Sequence, residues 1–98
     1  MTVLKEQPVV HPVQKIGWTT KYTEEEHDTM QLCKDGIYTS VSRYNIKDVL
    51  DMSYRHEPNQ IGFLYLHTIK GVRTYYVRDN PQDFVETFRE YRKKLDTD

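Results

Sequence analysis

The stretch IGFLYLHTIKGVRTYYVRDNPQDF, Ile61 to Phe84, holds two strands, a tight turn and the start of a helix. β-Branched and aromatic residues fill 61–69 and 72–78, as strands favour, and Lys70-Gly71 between them reads as the turn. Strand side chains alternate between faces. Ile61, Phe63, Tyr65 and Ile69 share one face with His67, while Leu64 and Leu66 share the other. Both faces are apolar. One of them fills the core, and the other needs a separate explanation.

The helix begins at once. Asn80 is a good N-cap, Pro81 suits the first helical position, and Asp83 falls three residues after the cap. Phe84, Phe88, Tyr91 and Leu95 then recur at helical spacing, which predicts one apolar stripe over about 80–95. Asp83 and Glu86 come early and Arg92, Lys93 and Lys94 late, as the helix dipole favours. Such a stripe docks on an open side of a sheet.

Upstream, Leu50, Met52 and Tyr54 alternate with Asp51, Ser53 and Arg55, a strand with one wet face. EPNQ after it is a loop, and Ile46 and Val49 before it read as buried. In LCKDGIYTSV the pair Asp35-Gly36 predicts a type I′ hairpin turn. Its second arm, IYTSV, sets Ile37, Thr39 and Val41 on one side. A further strand is expected over Val13–Thr23, broken by the charged run EEEHD. Residues 1–13, with Pro8 and Pro12, read as an extended arm lying along a sheet edge or in solvent. Six antiparallel strands and a final helix predict a mainly β chain: a partly open barrel or sandwich plugged by the helix.

The totals agree with one small domain. A chain of 98 residues hides only roughly 60–70% of the surface its unfolded form exposes, so the core is thin. Eight tyrosines add apolar area with a hydroxyl that can stay wet. A net charge of −1 argues against nucleic acid, whose binders carry a basic stripe. Cys33 is the single cysteine, so no internal disulfide forms, and it reads as a buried hydrophobe in a reducing compartment. The N-terminal residues lack the apolar core of a signal peptide, and IGFLYL is too short to span a membrane. The expectation is a soluble, cytoplasmic protein.

The order of elements resembles the pleckstrin-homology (PH) superfold of the bacterial type. LCKDGIYT is similar to its acidic-Gly hairpin, YNIKDVLDMSYR to its polar turn leading into the next strand, GFLYLHTIKGVRTYYV to its late hairpin, and DNPQDFVETFREYRKK to its closing helix. Together these span Leu32 to Lys94. The resemblance implies a PH-like domain over 14–98 behind an arm at 1–13. It also implies six to seven strands, the seventh drawn from 1–13 or from 42–50. PH-like folds serve lipid head groups, peptides, other proteins and self-assembly, so the scaffold does not fix the chemistry.

Phosphoinositide binding on such a scaffold needs a basic cluster between the first two strands. That segment here is TEEEHD, whose Glu24, Glu25, Glu26 and Asp28 repel phosphate. His11, His27, His56 and His67 are scattered without metal-ligand spacing. No nucleophile–base set or phosphate-cradling glycine loop is present, so neither a cofactor nor catalysis is expected. What remains is the late hairpin. Leu64, Leu66, Tyr75 and Val77 are expected inward, leaving Phe63, Tyr65, His67, Tyr76 and Val72 as the candidate interaction surface. This aromatic row is either covered by residues 1–13 or used as an interface. The expected function is a non-catalytic module that binds a protein partner or itself, through this face or by strand addition at a sheet edge. The alternatives are single-stranded nucleic-acid binding, with bases stacked on the aromatics and Arg73 and Arg78 at phosphates, and weak lipid or small-ligand binding.

Overall fold

A computed structural model describes residues 2–97. The strands are β1 (Val3–Ile16), β2 (Lys21–Cys33), β3 (Gly36–Tyr38), β4 (Arg43–Asn45), β5 (Val49–Arg55), β6 (Gly62–Thr68) and β7 (Gly71–Val77). A 3-10 turn at Ile46–Asp48 joins β4 to β5, and helix α1 (Gln82–Thr97) closes the chain. All pairings are antiparallel, in the order β4-β3-β2-β1-β7-β6-β5. β4 and β5 remain the two edges, so the sheet is not closed. It is a partly open barrel capped by one C-terminal helix, the mainly β architecture the sequence predicts.

The break between the edges is tied by backbone and helix together. Ile46 N–H donates to Asp35 O at 3.0 Å, and Ile69 N–H donates to Asp48 O at 3.0 Å. From α1, the Tyr91 hydroxyl donates to Lys34 O at 2.8 Å, Arg92 to Ile46 O at 3.2 Å, and Arg89 to Met52 O at 2.8 Å. The helix therefore straps the β2–β3 turn, the 3-10 turn and β5 to one another. Its cap is the expected one: Gln82 N–H donates to Asn80 Oδ1 at 3.0 Å, and Val85 N–H reaches Pro81 O at 3.0 Å.

The core lies between the inner sheet face and α1. Leu64, Leu66, Tyr75 and Val77 point inward, as expected, and meet Met30, Leu32, Ile37 and Met52. α1 adds Phe84, Val85 and Phe88, whereas Tyr91 is half-buried and Leu95 lies at the exposed end of the stripe. Each fully buried Leu or Phe contributes about 1.5–3 kcal/mol of transfer free energy. Buried Gln7 is satisfied by donating to Asp79 O at 3.2 Å and Pro8 O at 3.1 Å.

Three turns differ from expectation. The late hairpin pairs Thr68 with Gly71, so the turn residues are Ile69-Lys70, and Gly71 at φ +117° takes the left-handed conformation that follows them. In the earlier hairpin Leu32 pairs with Ile37, which centres the turn on Lys34-Asp35. Gly36 is not at positive φ. A Cβ there would lie 2.3 Å from Tyr44 O, so glycine serves the close approach of β4. The arm IYTSV stops as a strand at Tyr38. Thr39 Oγ1 accepts the Ser42 N–H at 2.9 Å and turns the chain into β4, the strand the six-strand count lacked.

The largest difference lies at the N-terminus. Residues 13–23 are not one strand: Gly17 N–H bonds Thr20 O at 2.7 Å, and the chain reverses there. β1 runs through residues 3–16, so the boundary expected between arm and domain falls inside it. TEEEHD is not a loop but part of β2, with Glu24 opposite Val13 and His27 opposite Val10. Charge does not break this strand because both of its faces meet water and the ladder satisfies its backbone. β1 joins β7 at one bridge only, Val10 to Tyr76. Pro8 and Pro12 share the parity of Val10, so the N–H groups needed to extend that ladder are missing on either side. Beyond Val10 the β1–β2 pair leaves the sheet as a two-stranded ribbon, and the molecule measures 58 × 27 × 25 Å.

Candidate interaction surface

The outer face of β5–β6–β7 carries the sequence-predicted residues. Phe63 lies opposite Tyr76, Tyr65 opposite Ser53 and Thr74, and His67 opposite Val72. Phe63 and Tyr65 stack with centroids 6.0 Å apart and planes 16° apart, and Tyr76 tilts against Phe63 at 5.4 Å. His67 shares a 2.8 Å hydrogen bond with Ser53. Phe63, Tyr65, His67 and Tyr76 are half-buried and Val72 is exposed. All five predicted residues thus stand on one face. β1 lies beside β7 in the sheet, not across it, so residues 3–16 do not cover the row. The rings shield one another instead.

Arg55 stands opposite Phe63 at the β5 border of this face, and at the β7 border charge is engaged. Arg78 grips Glu25 with two hydrogen bonds, one of them Nε to Oε2 at 2.9 Å, spanning from the end of β7 across β1 to β2. The Arg78 guanidinium holds the Glu25 carboxyl below its usual range, and Glu25 in turn raises Arg78. Arg73 lies opposite Leu66, on the inner side of the sheet at the barrel mouth. There, with Arg43, Lys70, Tyr44 and Asp48, it lines a hollow of about 370 Å³. The two arginines paired with the aromatics in the nucleic-acid reading are therefore not side by side.

A polar knot that sequence reasoning missed ties the ribbon's root to the β3–β4 turn. Asp28 accepts from His11 Nε2 at 2.9 Å, from the Ser40 hydroxyl at 2.7 Å, and from the amides of Thr29 and Ser40. Burial works against its charge, but these bonds outweigh it and hold the Asp28 pKa down to about 2. Serine, histidine and aspartate meet here without making a nucleophile. Both Ser40 and His11 donate to the same carboxylate, so no base faces the serine. Deeper in, the Tyr44 and Tyr75 hydroxyls share a 2.7 Å bond, and burial pushes Tyr75 up to about 12.

Cys33 is buried, and burial raises its pKa, the reverse of an activated thiol. His56 donates to Arg78 O at 2.8 Å. Among the described residues no three His, Cys, Asp or Glu side chains gather as metal ligands would, and no helix is long and apolar enough to cross a membrane. Comparison with protein-family models, curated proteins and solved structures gives no match to this chain.

Proposed function

We propose that this chain is a non-catalytic interaction module on a PH-like scaffold, meeting a protein partner or a second copy through the outer face of β6–β7. The observation that carries this reading is the Phe63–Tyr65–Tyr76 cluster, which sits half-buried on the solvent side of the sheet with β1 beside it rather than over it. Aromatic side chains of this kind supply most of the energy at interface centres. A seven-strand count and a capping helix are compatible with the PH-like resemblance, and the Ser40–Asp28–His11 arrangement lacks the base a nucleophile would need.

Light scattering over a concentration series, with wild type beside Phe63→Ser/Tyr65→Ser, tests the self-association form. The mass of wild type should rise with concentration and that of the double variant should lag. Equal masses at every concentration would remove self-association through this face.

A further inference from the structure

We infer that the hollow at the barrel mouth is a binding site for a phosphate group that keeps a hydroxyl hydrogen, with inorganic hydrogen phosphate as its simplest form. This goes beyond the reading above, because it concerns a small anion and a different surface. The hollow, of about 370 Å³, opens in the gap between the two sheet edges, with β4 and the 3-10 turn on one side and the β6–β7 turn on the other. None of the acids of TEEEHD lines it.

Its walls carry three cations, Arg43, Lys70 and Arg73, and one acid, Asp48. The lining is therefore net positive in a chain whose own net charge is −1. None of these four side chains takes part in an ion pair among the described residues. Cations gathered in a concave site and not neutralised by the chain draw an anion to it.

The site is held in shape before anything binds. Asp48 O takes the Ile69 N–H at 3.0 Å, which fixes the 3-10 turn against the β6–β7 turn. The Tyr44 and Tyr75 hydroxyls tie β4 to β7 at 2.7 Å. Arg43 lies over the Tyr38 ring, 5.7 Å from its centroid. Arg73 leans back so that a guanidinium nitrogen lies 4.0 Å from where a Cβ on Gly71 would stand, which brings its charge to the turn that carries Lys70. Preorganisation of this kind lowers the cost of binding, and a guanidinium fork matches phosphate oxygens two at a time.

Asp48 sets the kind of anion. Its carboxylate accepts no hydrogen bond from a described residue. An ionised carboxylate only accepts. It repels an anion of bare oxygens such as sulfate, and it accepts from one that carries an O–H. Hydrogen phosphate has that O–H at neutral pH and sulfate does not, so the acid discriminates between two anions of similar size and shape.

Amide NMR shifts of the full chain would be followed while inorganic phosphate is added at constant ionic strength, with sulfate in parallel. Shifts should gather at Asn45, Asp48, Lys70 and Arg73, and phosphate should bind about tenfold or more tighter than sulfate. Arg73→Ala should weaken phosphate binding about tenfold or more, with Arg73→Lys in between. Asp48→Asn should erase the preference by admitting sulfate. Phe63→Ser/Tyr65→Ser should leave phosphate binding unchanged, so this site and the outer-face reading fail separately. Vesicles carrying phosphatidic acid, set against phosphatidylcholine alone, separate the two sources of the group. Uptake that free phosphate displaces and Arg73→Ala abolishes makes it a lipid's, and no uptake makes it a free phosphate. Sulfate bound by wild type as well as phosphate overturns the inference. So do phosphate binding that survives Arg73→Ala, shifts centred on the basic end of α1, or no phosphate-dependent shifts at all.

Discussion

The β6–β7 hairpin and the β1–β2 ribbon are built from the same ladder, yet they differ in what lies beneath them. β6–β7 rests on the core away from its turn, with Leu64, Leu66, Tyr75 and Val77 inward and the aromatic row outward, while residues 71–74 at the barrel mouth are exposed. β1–β2 does so only at its root, where Val9, Met30 and Leu32 are buried; past Val10 both faces are wet. A hairpin with one buried face has its register fixed by that face. One with two wet faces is held by its backbone bonds, its turn and polar ties such as Glu25 to Arg78.

The sharpest way to break this contrast is to remove what only the first hairpin has. Phe88→Ala, beneath the sheet, should lower unfolding free energy by about 3–5 kcal/mol in a denaturant titration. Adding a methyl group where β4 crowds β3 comes next. Gly36→Ala places its Cβ against Tyr44 O, and overpacking of this kind costs about 1–3 kcal/mol.

At the ribbon's root the effect is smaller and depends on pH. The Asp28 pKa is lowered from 3.8 to about 2 in the folded protein, so its contribution is complete above pH 3.8 and is lost as pH falls toward 2. Asp28→Asn should cost about 1–2 kcal/mol at neutral pH. Its midpoint should converge with that of wild type near pH 2. Smallest of all, Trp18→Ser should change monomer stability by less than about 0.5 kcal/mol, because the fully exposed ring supports nothing in its own chain.

The same contrast explains what could be read from the sequence. The late hairpin, its inward set, the N-cap at Asn80 and the helix stripe were legible because alternation and helical spacing appear wherever one face is buried. The placement of Phe63, Tyr65, His67, Val72 and Tyr76 on one outer face was legible in the same way. The ribbon was not legible: with charge and β-branched residues on both faces, TEEEHD looks like a loop, and nothing local marks Gly17–Thr20 as the reversal. Gly36 misled because Asp-Gly is a strong turn signal, while its cause is contact with a strand eight residues further on. The Asp28–His11–Ser40 knot follows from the β1–β2 register, which no pattern within either strand reveals.

Amide hydrogen exchange, followed separately in the two hairpins in dilute solution, tests the central contrast most directly. The core-backed residues 62–66 and 75–77 should exchange only on global unfolding, and residues 12–25 should exchange far faster. Equal protection of both hairpins would contradict the account.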